Sequence, residues 1–576
     1  MAMELLAPAR GTMVAEKVYP PEHDLTDAVP RIGVFICHCG INIASVVDVE
    51  KVVEAAKDMP YVAYAENAVY ACADNTQDRI KELIKEHNLN RLIVASCTPR
   101  THEGLFRDTA RECGLNPFLV DMANIRDQCS WVHSNNPDAA TEKAIDLVRM
   151  ATGRSARLTA LMTEELPVVQ SALVIGGGPS GMTAALSLAH MGYPVHLVEN
   201  QSSFGGRLTD GPAKDRLITA VDNHPLITSY LSSRVTALKG HVGNFSAEID
   251  TPEGTSSITF GALIIATGGL EHKPSEYCYG SDPRVFTQHE LEMKLAGGTP
   301  DLPDMPTIAM IQCVGSRNEE RPFCSRSCCT QAVKNAIRIK ELRPKANVVV
   351  LYRDMRTYGS NEVFYQKARE MGVIFVQYRP ELPPKVTSSA KLRIQFTEPE
   401  LSTPVNLDLD MLVLSTGTSP AVDNQIISDL AKIPLNADGF FLEAHLKLRP
   451  VDFASEGIFL CGSAHSPKMT VENMQQGRAA AGRASTILSK KTMVVGGQVS
   501  KVDVRKCVSC LTCMKVCPYG APEVSPINGK NRVEIQAAKC MGCGSCAAAC
   551  PAKAIQLGHF MDQQVSAAID ALLAEV

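Results

Sequence analysis

At 576 residues the chain is too long for one hydrophobic core, and ordinary domain sizes predict three or four. A formal net charge of −5 gives no basic footprint for nucleic acid, and apolar stretches such as 172–198 are broken by glycine and proline, which argues against membrane insertion. Residues 1–30 lack the charged and apolar regions of an export signal, so the expectation is a cytoplasmic chain whose twenty cysteines are metal ligands rather than disulfides.

After an N-terminal extension, 1–29, residues 30–155 alternate strand and helix patterns. Strands are expected at 31–36, 62–70 and 91–96, and helices at 46–59 and 76–87, which predicts a parallel α/β sheet. Cys37 and Cys39 close the first strand, Cys72 follows the second and Cys97 the third. Ligands of open α/β sheets gather beyond the carboxyl ends of the strands, so these four scattered thiols can converge on an iron–sulfur site. Cys129 is an alternative to one of them, Cys113 falls inside a helix pattern, and buried structural cysteines are the competing reading.

A third pattern begins at Ala172-Leu-Val-Ile-Gly176-Gly177-Gly178-Pro179-Ser180-Gly181, continues as a helix to His190 and ends in Pro194-Val-His-Leu-Val-Glu199. Strand, glycine turn, helix and a second strand closed by an acid form a dinucleotide-binding unit. The glycines allow a tight turn and close approach to a pyrophosphate, and Glu199 stands where an acid meets ribose hydroxyls. The unit opens a region, 156–495, that contains a second dinucleotide-type domain at 284–420. Its first strand, 307–312, should lead into a phosphate-binding glycine loop. It reads instead Gln312-Cys313-Val314-Gly315-Ser316-Arg317, then Phe323-Cys324-Ser325-Arg326-Ser327-Cys328-Cys329. Cys313, Cys324, Cys328 and Cys329 are read as ligands of a [4Fe-4S] cluster; adjacent ligands need an irregular backbone there, and structural thiols are the competing reading.

Residues 496–576 contain Cys507-x-x-Cys510-x-x-Cys513-x-x-x-Cys517-Pro518, and 33 residues on Cys540-x-x-Cys543-x-x-Cys546-x-x-x-Cys550-Pro551. Three sulfurs of each run can face one cubane while the fourth crosses to its neighbour. This predicts a bacterial-type α+β ferredoxin with two [4Fe-4S] clusters: Cys507, Cys510, Cys513 and Cys550 on one, Cys540, Cys543, Cys546 and Cys517 on the other.

Phe204-Gly205-Gly206-Arg207-Leu208, Leu263-Ile-Ile-Ala-Thr267-Gly268-Gly269 and Gly457-Ile-Phe-Leu-Cys461-Gly462-Ser463-Ala464, with a helix starting near Val471, resemble the flavin-binding segments of the thioredoxin-reductase-like, two-dinucleotide-domain flavoproteins. The resemblance spans about 168–490. It implies one FAD held by Gly176, Gly178, Pro179, Ser180, Gly181, Glu199, Asn200, Gly206, Arg207, Leu208, Val235, Ala266, Thr267, Gly268, Gly462 and Ser463, with the last helix aimed at the flavin ring. The family's usual Gly-Asp is Gly462-Ser463 here, and its redox Cys-x-x-Cys is missing.

Phe35-Ile-Cys-His-Cys-Gly-Ile-Asn-Ile43, Ala95-Ser-Cys-Thr-Pro-Arg-Thr-His-Glu103, Met122-Ala-Asn-Ile-Arg-Asp-Gln-Cys-Ser-Trp-Val-His133, the 313–329 segment and Tyr352-Arg-Asp-Met-Arg-Thr-Tyr-Gly359 resemble the HdrA-type iron-sulfur flavoproteins of heterodisulfide reductase along nearly the whole chain. Fuller members carry a further ferredoxin after the Gly-Gly-Arg segment; here Arg207 runs on to Val242-Gly243-Asn244-Phe245 without a cysteine. The resemblance implies an oxidoreductase subunit whose flavin splits or combines electron pairs, in bifurcation or confurcation, and four [4Fe-4S] clusters are expected in all. It implies partners like the B-type and C-type subunits of heterodisulfide reductase, a dehydrogenase or hydrogenase module, ferredoxin as a further candidate, and a dimeric complex. Lys468, in Ser466-Pro467-Lys468, matches the family's lysine beside flavin N5; a solvated loop lysine is the plainer alternative. A self-sufficient NAD(P)H-dependent reductase and a non-bifurcating relay scaffold are the competing functions.

Overall fold

The computed structural model describes residues 2–12, 17–209, 211–298, 302–400, 402–527 and 529–574. They divide into two compact units, a central one of 167–493 with 2–12 and a terminal one that joins the segment before 167 to residues from 494 onward. Among the described residues no helix is long and apolar enough to cross a membrane.

In the terminal unit, strands Ile32–Cys37, Val62–Ala68, Arg91–Ser96 and Val120–Asn124 form a four-stranded parallel sheet with the first strand between the second and third. Ile32–Cys37 and Arg91–Ser96 are buried along their whole length, as parallel strands covered on both faces must be. Helix Val49–Lys57 is shorter than the expected 46–59, because the Asp48 side chain accepts the Lys51 amide and caps it. Its Val49, Val52, Val53 and Ala56 turn inward. The second strand stops at Ala68 rather than residue 70, and Asp74–Glu86 supplies the second helix. Parallel strands share their carboxyl edge, which brings the ends of Ile32–Cys37 and Arg91–Ser96 to one side of the sheet.

The same unit holds two short antiparallel pairs, Ser500–Val502 with Ile555–Leu557 and Pro522–Ile527 with Lys530–Ile535, around helices Thr512–Val516 and Ser545–Ala548. Its last helix, Asp562–Leu573, packs along Pro137–Ser155. Gly153 makes that approach possible: an added Cβ would lie 2.5 Å from the Ala567 carbonyl oxygen and 2.6 Å from the Ala571 Cβ.

The central unit contains two five-stranded parallel sheets built to one plan. The first runs Ile458–Leu460, Ala262–Ile265, Ala172–Ile175, Val195–Val198, Ile227–Tyr230; the second runs Val285–Thr287, Met411–Leu414, Thr307–Ile311, Asn347–Tyr352, Ile374–Gln377. Each is interrupted in the chain by a three-stranded antiparallel meander, Arg234–His241 to Gly254–Phe260 before Ala262–Ile265 in one and Lys385–Ser388 to Thr403–Leu409 before Met411–Leu414 in the other. The second domain is inserted in the first, and the chain enters and leaves it through the paired strands Gly269–Glu271 and Thr418–Pro420. Helices Pro179–His190 and Thr470–Leu488 cross closely; a Cβ at Gly477 would stand 2.5 Å from the Ser180 carbonyl oxygen. The start of the chain joins this unit: Arg10 donates to the Met191 carbonyl (2.9 Å) and lies 4.2 Å over the Tyr193 ring.

Gly153→Leu is expected to undock helix Asp562–Leu573. The helix propensity gained, about 1 kcal/mol, is outweighed by overpacking against a backbone carbonyl that cannot yield, about 1–3 kcal/mol. Amide hydrogen exchange should accelerate across Asp562–Leu573; unchanged protection there would refute the close contact.

Candidate cofactor sites

The turn after Ala172–Ile175 separates two uses of glycine. Gly176 has φ +110° and its Cβ would lie 2.3 Å from the Ala266 carbonyl oxygen, while a Cβ on Gly181 would lie 1.8 Å from the Gly176 carbonyl oxygen. Those two close the fold. Gly178 has an ordinary conformation, φ −74° and ψ −178°, and an added Cβ would meet no atom within 4 Å. The fold does not need glycine there, whereas a ligand seated on the N-terminus of Pro179–His190 does. Gly268 borders similar open space.

The remaining expected FAD contacts gather around this opening. Glu199 is buried and accepts the amides of Gly177 (2.7 Å) and Gln201 (2.8 Å), which fixes its carboxylate while each oxygen keeps a lone pair for a ribose hydroxyl. The Gly205 amide donates to the Gly177 carbonyl (3.0 Å), and Gly206 lies against Gly178, so 204–208 is drawn to the glycine turn. Leu208 packs on the core of the first domain, and Val235 packs on its other face from the meander. Asn200 reaches Asp423 (3.5 Å), and Thr267 donates to Asn424 (2.9 Å). Gly462 donates through its amide to Gln476 (2.8 Å), and Ser463 donates to Asn473 (3.3 Å). Lys468 is held down by burial, its pKa lowered to about 8, and its Nζ donates to Gly462 O (2.8 Å), Ser466 O (2.8 Å) and Ser466 Oγ (3.2 Å). A contact with flavin N5 requires one of those bonds to be exchanged.

The remodelled loop of the second domain brings its four cysteines together. Burial, then the charges of Cys329, Cys313 and Cys324, push the Cys328 thiol up to about 12; burial pushes Cys329 to about 11, with Cys313 and Cys324 adding to it. The loop turns through positive φ at Cys313, Gly315, Arg317 and Arg326, but Cys328 and Cys329 open the regular helix Cys328–Leu342, so the irregular backbone expected at the adjacent pair is not found there. Arg317 Nη1 lies 3.8 Å from Cys313 Sγ, and the Arg326 amide donates to Cys324 Sγ (3.3 Å). The expected flavin segments touch this loop. Arg207 lies near enough to Cys328 to favour its thiolate and donates to Thr418 (3.1 Å), whose amide donates to Ser325 (2.8 Å); Arg326 pairs with Glu472 (2.6 Å) in the first turn of Thr470–Leu488.

At the carboxyl edge of the terminal unit's sheet, Cys37 Sγ accepts the amides of Cys39 (3.2 Å) and Ala71 (3.3 Å). Burial raises its pKa, and Cys39 and Cys72 raise it further; burial likewise raises Cys97, which feels Arg126 and Cys39. Cys37, Cys39, Cys72 and Cys97 thus share one neighbourhood. Cys129 points into the core, its Sγ 3.0 Å from the Ala140 carbonyl oxygen, and Cys113 caps helix Pro99–Glu112. Sequence pattern gives no role to Arg126, although it stands three residues before Cys129. It sits on a single π-helical turn, Arg126–Ser130, with Nη1 3.4 Å from Cys39 Sγ.

In the ferredoxin-like part, Cys517, Cys540, Cys543 and Cys546 line one cavity, and Cys546 feels the charge of the other three. The fourth cysteine of the first run therefore lies with the second run. Cys513 and Cys550 pack in a small cluster with Val533 and Ile555 that also takes in Cys546 of the other set, and the partly buried Cys507 lies against it. Positive φ at Ser509, Leu511 and Gly520 recurs 33 residues later at Gly542, Gly544 and Lys553, so the sequence repeat is also a backbone repeat. Sets of four thiolate donors with such spacing suit [4Fe-4S] clusters.

Known proteins with similar sequences carry the same chemistry. A family model described as 4Fe-4S dicluster domain matches 500–564, and one described as FAD dependent oxidoreductase matches 172–262. The second of two iron-sulfur A-subunits of CoB--CoM heterodisulfide reductase in Methanopyrus kandleri is 36% identical over 88% of this chain and 93% of its own length. The A-subunit of H(2):CoB-CoM heterodisulfide,ferredoxin reductase of Methanothermobacter marburgensis is 34% identical over 95% of this chain and 98% of its own. Among solved structures, thioredoxin reductase of Lactococcus lactis matches 55% of this chain and 98% of its own at 19% identity and a TM-score of 0.39. Fold and sites define an oxidoreductase that uses FAD and [4Fe-4S] clusters. The chain belongs to the HdrA family, the iron-sulfur A-subunits of heterodisulfide reductase.

Gly178→Val should leave a folded protein with its iron but without flavin, whereas Gly181→Val should fail to fold; flavin absorbance beside iron content checks both. For the ferredoxin part, Cys517→Ala with Cys540→Ala should lose one cluster, about four irons, because both cysteines serve one site. Cys517→Ala with Cys507→Ala should lose two, about eight irons by the same stoichiometry. Equal losses from the two pairs would contradict the crossed arrangement.

Proposed function

We propose that the chain is the flavin-bearing electron distributor of a heterodisulfide-reductase-like complex, exchanging electron pairs with one side and single electrons with four [4Fe-4S] clusters, in bifurcation or confurcation. When bound, FAD supplies the conversion between two-electron and one-electron transfer, since clusters accept one electron at a time. The observation that carries the reading is the link of the 313–329 loop to both expected flavin segments, from Arg207 through Thr418 to Ser325 and from Arg326 to Glu472. In a pyridine-nucleotide reductase that loop would hold the nicotinamide cofactor's phosphates; here it carries four thiols and positive-φ turns.

The chain's own residues then have separate tasks. Gly178 and Gly268 leave open space that would admit FAD, Glu199 would hold its ribose, and the N-terminus of Thr470–Leu488 would supply a positive dipole end to favour a reduced, anionic flavin. Arg207 and Arg317 offset thiolate charge at the loop. The ferredoxin-like part, with two clusters, and the Cys37, Cys39, Cys72 and Cys97 site give three further one-electron stations. The Methanothermobacter relative's name joins hydrogen, a heterodisulfide and ferredoxin in one reductase, which supports partners of those classes, among them subunits resembling the B and C components of heterodisulfide reductase.

NADH and NADPH should fail to bleach the flavin of the purified chain, while a low-potential one-electron donor should reduce clusters and flavin together. Bifurcation further requires that the flavin's second electron leave at lower potential than the first. Stoichiometric flavin reduction by either nucleotide without partner proteins would overturn the assignment, and a potentiometric titration with the ordinary order of potentials would reduce it to simple relay.

A further inference from the structure

Among the described residues, the second dinucleotide-type domain leaves polar atoms of five side chains buried and without partners: Gln288 Nε2, both side-chain heteroatoms of Gln312, Thr330 Oγ1, Ser415 Oγ and, next to it, Thr416 Oγ1. Gln312 is 0% exposed, Ser415 1%, Gln288 2% and Thr330 5%. Such groups are destabilising unless something bonds them.

Their positions identify what that is. Gln312, Ser415 and Gln288 each follow the last residue of three neighbouring strands, Thr307–Ile311, Met411–Leu414 and Val285–Thr287. The register pairs Ile311 and Thr287 with Leu414, so the three residues stand side by side at the carboxyl edge. Ile308, Met310, Met411 and Val413 face helix Cys328–Leu342, and strand alternation puts Gln312 and Ser415 on that face. Asn335 of the helix donates to the Gln288 carbonyl (3.0 Å) and side chain (2.8 Å), which fixes Gln288 on the same face. Thr330 enters from the helix's first turn. Gln312 adjoins Cys313, Thr330 adjoins Cys329, and the Ser415 carbonyl accepts the Val314 amide (3.0 Å). This is the crevice where strand order reverses, the usual ligand position in such sheets. An uncharged set rich in N–H and O–H donors, set behind four thiols, suits an anionic body covered with sulfur acceptors.

We propose that Gln312, Ser415 and Thr330 donate hydrogen bonds to sulfur atoms of the [4Fe-4S] cluster held by Cys313, Cys324, Cys328 and Cys329, and that they raise its reduction potential. The proposal rests on reading that loop as a cluster site. Donors to sulfur stabilise the reduced, more negative cluster, which makes it an electron sink beside the flavin. These are positioning and tuning residues, not ligands.

The test uses the full chain purified without oxygen. Gln312→Leu keeps the volume and removes the donors. It should retain iron and FAD while the midpoint potential of one cluster, followed by electron paramagnetic resonance, falls by at least the equivalent of tenfold in its reduction equilibrium, about 59 mV for one electron. Ser415→Ala should shift the same cluster in the same direction by less. Exchange into D2O should shift that cluster's Fe–S vibrations in the parent and by less in Gln312→Leu, where Ser415 and Thr330 still donate. Unchanged potentials at full iron content would overturn the proposal and assign these atoms to buried water. If Gln312→Leu loses iron, Ser415→Ala decides, and an unshifted potential there overturns it equally. Full iron content after Cys328→Ser with Cys329→Ser would instead refute the cluster site itself.

Discussion

A thiol ligates iron only as a thiolate, and burial opposes that charge. This opposition governs the parts of the structure that matter for electron transfer. Cys328 and Cys329 are pushed up to about 12 and about 11 by burial and by the neighbouring thiols, and burial also raises Cys37, Cys97, Cys513 and Cys546. Gathering such groups is unfavourable until a cation replaces their protons, so metal loading and local folding are one equilibrium. Arg126 beside Cys39, Arg317 beside Cys313 and Arg207 near Cys328 supply part of the compensating charge. Strained backbone is tolerated at the same points, including positive φ at Cys39, Cys313, Ser509 and Leu511.

The central unit uses one sheet plan twice. Both sheets have the same strand order and both present a crevice at their carboxyl edge. In the first, the turn leaves open space at Gly178 and the acid Glu199 is fixed by backbone amides, which suits a dinucleotide. In the second, the corresponding turn is a long cysteine loop, and Gln312 and Ser415 are buried behind it. The insertion strands Gly269–Glu271 and Thr418–Pro420 bring the two crevices into one unit, where Arg207 and Glu472 reach the cysteine loop. A cysteine loop thus stands where a phosphate turn is expected, on a sheet whose strand order is unchanged.

Much of this was legible in the sequence because short-range chemistry carried it. The doubled Cys-x-x-Cys-x-x-Cys-x-x-x-Cys-Pro run predicted the crossed ligand sets, and the structure puts Cys517 in one cavity with Cys540, Cys543 and Cys546. Strand, glycine turn and helix from Ala172 to His190 were readable because a phosphate turn needs local conformation and little else. Boundaries were less exact where a cap intervened, as at Asp48. Two glycines of one motif looked alike in the sequence, yet Gly181 is required by a carbonyl 1.8 Å from its missing Cβ and Gly178 by open space.

By itself the sequence displayed the local patterns: the cysteine runs, the glycine turn, and a second domain with thiols where a phosphate-binding glycine loop was expected. Only the tertiary structure decided which scattered residues meet. It set Cys129 into the core against Ala140 and brought Cys37, Cys39, Cys72 and Cys97 to one edge, because parallel strands put their carboxyl ends together whatever their distance in sequence. It also aligned Gln288, Gln312 and Ser415, the last far along the chain from the other two, through the register of three strands. Periodicity records which face a side chain takes; register, which depends on long-range pairing, decides what it faces.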